Sequence, residues 1–311
     1  TAILTMVEAA TQHELADNVK AVSDALKDFD TFGDVAFTTD PEEYGKFWAV
    51  RSGIFPTVGG MRKPGTTCLI EDVAFHVEDL PEAVSDLSNL LDKYGYDDSC
   101  IYGHALEGNF HFIINQSFET EDDARRYKGM ISDVAQLVVE KYDGSLKAEH
   151  GTGRNMAPYV EKEWGEQAYA LMKEVKQIFD PKGILNPGVI LNNDHQAHIK
   201  NLKPCPDVKE SVNKCMECGF CESKCVAEGL TLSPRQRVAV YREIKSLKSS
   251  GQEPHRAAEL QKSYQYYGLD TCATDSLCAM RCPVKVDTGK MVKVLRDAGH
   301  SKRSESVAMF L

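Results

Sequence analysis

Cys215, Cys218, Cys221 and Cys225 follow the spacing C-x2-C-x2-C-x3-C. A tight loop of this kind lets three thiolates hold three corners of an iron-sulfur cubane, while the fourth cysteine usually serves a neighbouring cluster. Gly219 lies inside the loop, where a residue without Cβ tolerates the unusual dihedrals of backbone wrapped around metal. Paired C-x2-C motifs also build tetrahedral zinc sites, but four cysteines this close together suit zinc poorly. A second group, Cys272, Cys278 and Cys282-Pro283, keeps the same frame with Asp275 where its second cysteine would stand. The pair therefore offers seven thiolates. If Cys215, Cys218 and Cys221 share one cluster with Cys282, the other has Cys225, Cys272 and Cys278, with Asp275 or solvent at its last iron. An oxygen ligand is harder than thiolate and holds iron less firmly, so a labile or 3Fe-4S cluster would stand beside a 4Fe-4S one. Asp275 also reads as a helix cap that touches no iron. The chemistry expected of these loops is the movement of single electrons.

Two further stretches carry groups able to bind a metal or move a proton. Gly103-His104-Ala-Leu-Glu107-Gly108-Asn109-Phe-His111 sets two histidines around a glycine. Side chains alternate across a strand, so His104 and His111 converge only if Glu107-Gly108 bends the chain. Lys147-Ala-Glu149-His150-Gly-Thr-Gly-Arg154 is a second polar cluster, punctuated by glycines. Taken singly, each of these residues reads more simply as a satisfied polar side chain.

The chain that must position them has 311 residues, 42% hydrophobic and 27% charged, the balance of a globular protein with a sizeable core and two domains. A formal charge of -11 argues against a nucleic-acid surface, which needs clustered Lys and Arg, and favours small metabolites or protein partners. No apolar run approaches the ~18 residues of a membrane span, and Thr1–Met6 lacks the basic region of a signal peptide. A cytoplasmic chain is expected, with peripheral attachment at the inner membrane left open. Seven of the ten cysteines fall between Cys215 and Cys282, which points to metal ligation in a reducing compartment. Cys68, Cys100 and Cys205 are isolated and read as ordinary thiols. Because Thr1 leads straight into the apolar, strand-like Ala2-Ile-Leu-Thr-Met-Val7, the chain reads as a fragment of something longer.

Residues 1–193 alternate β-rich runs with amphipathic helical patterns, an α+β domain. Thr11–Glu14 and Asp40–Glu43 look like capped starts, with Pro41 at the first helical position, for helices over 12–28 and 41–52. Strands are expected at 35–38, 68–77, 99–103 and 109–115, and helices at 80–94, 120–141 and 158–179. Residues 194–212 lose that rhythm and hold Pro204 and Pro206, so they read as a linker. From 213 to 311 the pattern is helical. Ser233-Pro-Arg-Gln236 is a capping box ahead of an apolar face of Val238, Tyr241, Ile244 and Leu247, and helices follow over 254–267 and 288–298.

Four stretches then carry a family resemblance. They are Arg51-Ser-Gly-Ile-Phe-Pro56 with Gly65-Thr-Thr and Ile70-Glu-Asp-Val-Ala-Phe75; Gly103-His104 to Asn109-Phe-His111; Glu149-His150-Gly-Thr-Gly153 with Phe179-Asp-Pro-Lys-Gly-Ile-Leu-Asn-Pro-Gly188; and Cys215 to Arg237 with Cys272 to Gly289. In this order they resemble the FAD-linked 2-hydroxy acid dehydrogenases of the vanillyl-alcohol oxidase type, in particular the large D-lactate or D-2-hydroxyglutarate dehydrogenases that carry an iron-sulfur domain. The resemblance implies an antiparallel sheet covered by helices over 1–193, followed by a small all-α ferredoxin domain over 213–311. It also implies that His104, His111 and Glu149 hold zinc or manganese, a set with open positions suited to Lewis-acid work. His150 would then be the general base, an imidazole ordinarily titrating near neutrality. Arg51 would clamp the substrate carboxylate, and Asn109 would bind substrate or orient a histidine. Arg62, Lys63 and Arg154 are candidates for a second carboxylate. FAD, bound mainly by a domain absent here, would receive the hydride, and electrons would leave through the clusters to a downstream acceptor. The alternative is a non-catalytic iron-sulfur module that docks a separate flavoprotein.

The chain departs from the family pattern in places. Leu106-Glu107-Gly108-Asn109 stands for Gly-Asp-Gly-Asn, Val226 replaces a proline after Cys225, and His76 stands where proline is expected.

Overall fold

Thr11 caps the first helix, α1 (Gln12–Ala25): its hydroxyl accepts from the Glu14 N–H, and the Glu14 carboxylate accepts in turn from Ala10. The computed structural model describes residues 2–203, 205–300, 306 and 309; Thr1, the linker residue Pro204 and the rest of the tail expected to close the helical domain lie outside the described residues. Contacts divide the chain into two units, Thr1–Ile54 and Phe55–Leu311. The strand expected at 35–38 does not form, and neither does one over the strand-like run 2–7. Both segments are irregular, with Ile3, Met6 and Val35 exposed, and no strand among the described residues of the first unit offers a ladder to satisfy their backbone.

Helix α2 (Pro41–Met61), expected to stop at 52, continues through Pro56. A proline inside a helix removes one hydrogen bond and costs about 3 kcal/mol. Here Pro56, Gly59 and Gly60 are buried, and that burial offsets the break. The glycines are there for close approach: a Cβ would stand 2.5 Å from Met216 Cε at Gly59 and 2.3 Å from Val284 Cγ1 at Gly60. Both partners belong to the cysteine loops.

Three strands, β1 (Thr67–Ala74), β2 (Cys100–His104) and β3 (Asn109–Gln116), make an antiparallel sheet of order β1-β3-β2, with α3 (Leu80–Lys93) between β1 and β2 in sequence. Leu69, Val73, Phe110, Phe112 and Ile114 pack under α3 and under α4 (Glu121–Gln136), against Leu87, Leu91, Met130, Ile131 and Val134. Alternation then sends Asp72, Asn109, His111, Tyr102 and His104 to the opposite face. The strand expected at 68–77 ends at Ala74, and His76, with φ -63° and ψ 142°, holds the extended backbone that a proline would adopt. α4 begins in a Thr120–Asp123 capping box and runs into a π-helical turn over Leu137–Lys141. α5 (Val160–Phe179) is kinked at Gly165, where φ is 76°.

Within residues 194–212, Ala197 and His198 form a buried turn against Tyr127 and Tyr159. The short α6 (Glu210–Asn213) follows. α7 (Pro234–Ser250) starts in the expected Ser233–Gln236 capping box and ends at the left-handed Gly251. α8 (Pro254–Tyr264) passes into a π-helical turn over Gln265–Asp270. α9 (Leu277–Arg281) and α10 (Thr288–Asp297) complete a second core, in which Val212, Val238, Ile244, Met291 and Val292 pack with Cys215, Cys272 and Cys282.

Candidate functional site

A one-turn bend brings the two histidines together. β2 ends at His104, residues Ala105–Glu107 form a single turn, and Gly108 takes the left-handed conformation at φ 71° before β3 starts. A side chain at Gly108 would also meet the Phe75 carbonyl 2.3 Å away, so two constraints demand glycine there. With His104 opposite Asn109 and Tyr102 opposite His111, both imidazoles share one face. The 147–150 segment crosses that face and delivers Glu149. Its Oε1 lies 2.9 Å from His111 Nε2 and 3.3 Å from His104 Nε2. One atom from each of His104, His111 and Glu149 lies within 4.8 Å of the others, a two-imidazole, one-carboxylate donor set that suits a borderline divalent cation.

Asp72 underlies the arrangement and was not singled out in the sequence. It is fully buried on β1; its Oδ2 accepts the N–H groups of Glu149 at 2.6 Å and His150 at 2.9 Å, and its Oδ1 accepts the Asn109 amide at 3.1 Å. Burial alone would raise its pKa, but these donors together with His111 outweigh it and hold the carboxyl below its ordinary range. Burial pushes the His111 imidazole down, which favours the neutral ring a metal needs. His111 Nδ1 is buried and sits 3.2 Å from Asp72 Oδ1, within ion-pair reach but outside hydrogen-bond geometry.

Asn109 is buried with both ends of its amide engaged: Nδ2 donates to Asp72 and, at 3.5 Å, to Glu149, while Oδ1 accepts from His104 N. It ties the ligand-bearing segments together. His150 is exposed, and its ring stacks on His111 at 4.6 Å with an interplanar angle of 6°. Its backbone is pinned by Asp72, and one of its ring nitrogens lies within 4.8 Å of ligand atoms of Asp72 and His111. One residue earlier on β1, Glu71 pairs in the interior with Lys147 and accepts from Asn155, so the 147–150 segment is anchored from both faces of the strand. Two adjacent carboxylates inside the apolar run Leu69 to Val73 were the available signal for this frame.

Arg51 stands half-buried on α2 in the first unit. Arg62 is buried and donates to the carbonyls of Gly59, Thr66, Asn213, Lys214 and Cys215. With its donors spent on backbone, it is not a free group for a second substrate carboxylate. It clamps the first cysteine loop instead. Lys63 and Arg154 are exposed.

The seven cysteines separate into two cavities. One is lined by Cys215, Cys218, Cys221 and Cys282, and the other by Cys225, Cys272, Cys278 and Asp275. The two loops repeat the same backbone: Glu217 and Thr274 are left-handed at φ 62° and 54°, and Gly219 and Ser276 at 89° and 61°. Three non-glycine residues in that region are costly and persist only where surroundings impose them, as around a bound group. Burial pushes the Cys221 thiol up to about 12 and raises Cys215 and Cys278, so without a cation these thiols stay protonated. Asp275 Oδ1 accepts the Leu277 N–H at 3.1 Å, as a cap does, while its residue borders the second cavity. Cys68 and Cys100 lie on β1 and β2, both with pKa raised by burial, as inert thiols have.

Among the described residues no helix is long and apolar enough to cross a membrane. Residues 1–190 match the family described as FAD linked oxidases, C-terminal domain, and residues 211–286 match the 4Fe-4S dicluster domain. A D-2-hydroxyglutarate dehydrogenase, mitochondrial, from Arabidopsis thaliana is 29% identical over 191 residues, which covers 60% of this chain and 32% of that protein. The D-lactate dehydrogenase [cytochrome], mitochondrial, of the same plant is 30% identical over 159 residues, 51% of this chain and 27% of the relative. Glycolate oxidase subunit GlcD of Bacillus subtilis (strain 168) is 28% identical over 133 residues, 43% and 28% respectively. The matched region is thus about a third or less of each of these relatives.

Proposed function

The chain belongs to the FAD linked oxidases, C-terminal domain, family of oxidoreductases and carries a 4Fe-4S dicluster domain, and on that premise we propose that it is the substrate-and-metal portion of a D-2-hydroxy acid dehydrogenase. D-Lactate and D-2-hydroxyglutarate are the leading substrates, as the names of its relatives suggest. The observation that carries this is the convergence of His104, His111 and Glu149 beneath an exposed, backbone-pinned His150.

In this reading His104, His111 and Glu149 hold a divalent cation, zinc or manganese, which when bound supplies Lewis acidity toward the 2-hydroxyl and carboxylate of the acid. His150 takes the hydroxyl proton as general base. The family resemblance gives Arg51 the role of pairing with a substrate carboxylate. Asn109 and Asp72 hold the ligands in place. Oxidation removes a proton from the hydroxyl and a hydride from C2, leaving the 2-oxo acid, and FAD supplies the hydride acceptor. Cys215, Cys218, Cys221 and Cys282 hold one iron-sulfur cluster, and Cys225, Cys272 and Cys278 hold a second that Asp275 or solvent completes; such clusters supply one-electron transfer.

The test is dye reduction by the full reading frame, flavin-loaded and anaerobically purified, across a panel of D-2-hydroxy acids. Turnover on D-lactate or D-2-hydroxyglutarate is expected, falling ~10²–10⁴-fold in His150→Gln with the clusters' spectra intact. A flavin-loaded protein inert across the panel would sink the proposal. Unchanged turnover in His104→Ala and His150→Gln would favour the electron-transfer module that docks a separate flavoprotein.

A further inference from the structure

Arg237 is the largest of the fully buried side chains, only 1% exposed, and it reaches the second cysteine cavity. Its Nε donates to the Gly268 carbonyl at 2.7 Å, its Nη2 to Thr271 Oγ1 at 3.3 Å, and its Nη1 to Cys225 Sγ at 3.6 Å. No carboxylate of the described residues lies within ion-pair reach of it. Arg242, equally buried on the same helix, is paired with Glu217 at 2.9 Å. A buried charge without a counter-charge is unfavourable, so Arg237 demands an anion; Cys225 Sγ is within its hydrogen-bond reach, while Asp275 lines the same cavity outside ion-pair distance.

The guanidinium is also held with care. Gly268 lies in the π-helical turn that follows α8, and Thr271, whose hydroxyl donates to the Tyr267 carbonyl, lies just beyond it. Arg237's own carbonyl accepts the Tyr264 hydroxyl at 3.0 Å. The turn therefore presents a carbonyl and a hydroxyl to two arms of the fork and leaves the third directed at sulfur. The first cavity differs: its sulfurs receive neutral backbone N–H groups, Cys282 Sγ from Val286 at 3.2 Å and Cys215 and Cys221 from Glu217 and Arg235, and the Arg242 charge beside Cys215 is already paired with Glu217.

We propose that Arg237 is a positioning residue that retains the second cluster and raises its reduction potential through a charged N–H···S bond to Cys225. The proposal rests on the reading that Cys225, Cys272 and Cys278 ligate a cluster. A cation beside the cluster stabilises its reduced, more negative state, and a hydrogen bond to sulfur acts in the same direction. With three thiolates and this cation, the second cluster becomes the electron sink of the pair.

The experiment is an EPR-monitored reductive titration with dithionite and mediators of the anaerobic, cluster-loaded protein, comparing wild type with Arg237→Met and Arg237→Lys. In Arg237→Met the second cluster's midpoint is expected to fall while the first stays in place, with Arg237→Lys between Arg237→Met and wild type. If Arg237→Met loses the second cluster and keeps the first, Arg237→Lys decides. Retention at an intermediate midpoint supports the charge, and equal loss overturns it. An unmoved midpoint in loaded Arg237→Met, or an equal shift of both clusters, also overturns the proposal. Wild-type protein without iron and acid-labile sulfide would instead remove the cluster reading on which it rests.

Discussion

Around Glu149 the protein completes its own frame. Asp72 takes three hydrogen bonds, Asn109 ties two ligand-bearing segments, and Glu71 and Lys147 anchor the strand behind them. The cysteine loops are clamped through their backbone carbonyls, by Arg62 and Arg242 at Cys215 and by Arg296 at Cys272, while the thiols themselves are left to the occupant. These loops hold left-handed Glu217, Thr274 and Ser276, buried thiols with raised pKa, and an Arg237 with no carboxylate of the described residues in ion-pair reach. Preorganised ligands bind a metal without much rearrangement, whereas strained, uncompensated loops depend on their occupant to be stable. The difference teaches that the two kinds of metal should contribute unequally to folding.

The largest effect that sharpens this contrast is on the helical region. Chelation of a divalent cation should move the melting temperature by a few degrees at most, with both cores intact. Removal of iron, or Cys218→Ser together with Cys282→Ser, should collapse hydrogen-exchange protection in α7 and α10, because Cys215, Cys272 and Cys282 belong to the packing of that core. About seven or eight irons per chain are expected before the treatment. Iron-free protein with full protection in α7 and α10 would break the comparison.

A smaller effect tests the frame around Glu149. Asp72→Asn keeps the shape, but because the N–H groups of Glu149 and His150 already share Oδ2, the new amide nitrogen must replace Oδ1. There it meets the Asn109 amide donor, and the negative charge beside His111 is lost. Loss of an orienting partner of this kind typically lowers metal affinity ~10–100-fold. Titration of the metal-free protein with Zn²⁺ or Mn²⁺ by calorimetry reads it directly. Wild-type affinity in Asp72→Asn would mean that the ligands need no frame, which erases the distinction between the two sites.

The grouping of the cysteines was legible in the sequence as a motif that occurs twice, and the usual exchange of the fourth cysteine between such motifs matches the linings of the two cavities. The strands of the sheet and the His104–His111 hairpin were legible too, through alternation and the glycine between them. Asp72, Glu71 and Lys147 were not, since their roles depend on which strands pair and on a segment more than seventy residues away. The strand expected at 35–38 failed for a related reason: an apolar run marks a strand only where a ladder exists to receive it. Arg62 misled in the opposite way. Sequence shows its charge, but not the five carbonyls that consume it.

The smallest expected effect reaches the frame from its far end. His198 is buried against Tyr127, whose hydroxyl donates to Asn155, which in turn donates to Glu71. Burial, with the Lys128 charge adding to it, lowers the His198 pKa from 6.5 to about 4. Between those values the unfolded chain binds a proton that the folded chain does not. Its contribution to stability is therefore complete above pH 6.5 and is lost as pH falls toward about 4. A loss on the order of 1–2 kcal/mol by pH 5 follows once the ring's partial solvation is allowed for. Urea denaturation of wild type and His198→Phe across this range isolates it: the wild-type curve should fall more steeply between pH 6.5 and 5 than the variant's. Parallel curves would show that His198 is already protonated or freely solvated, and that the frame ends at Asn155.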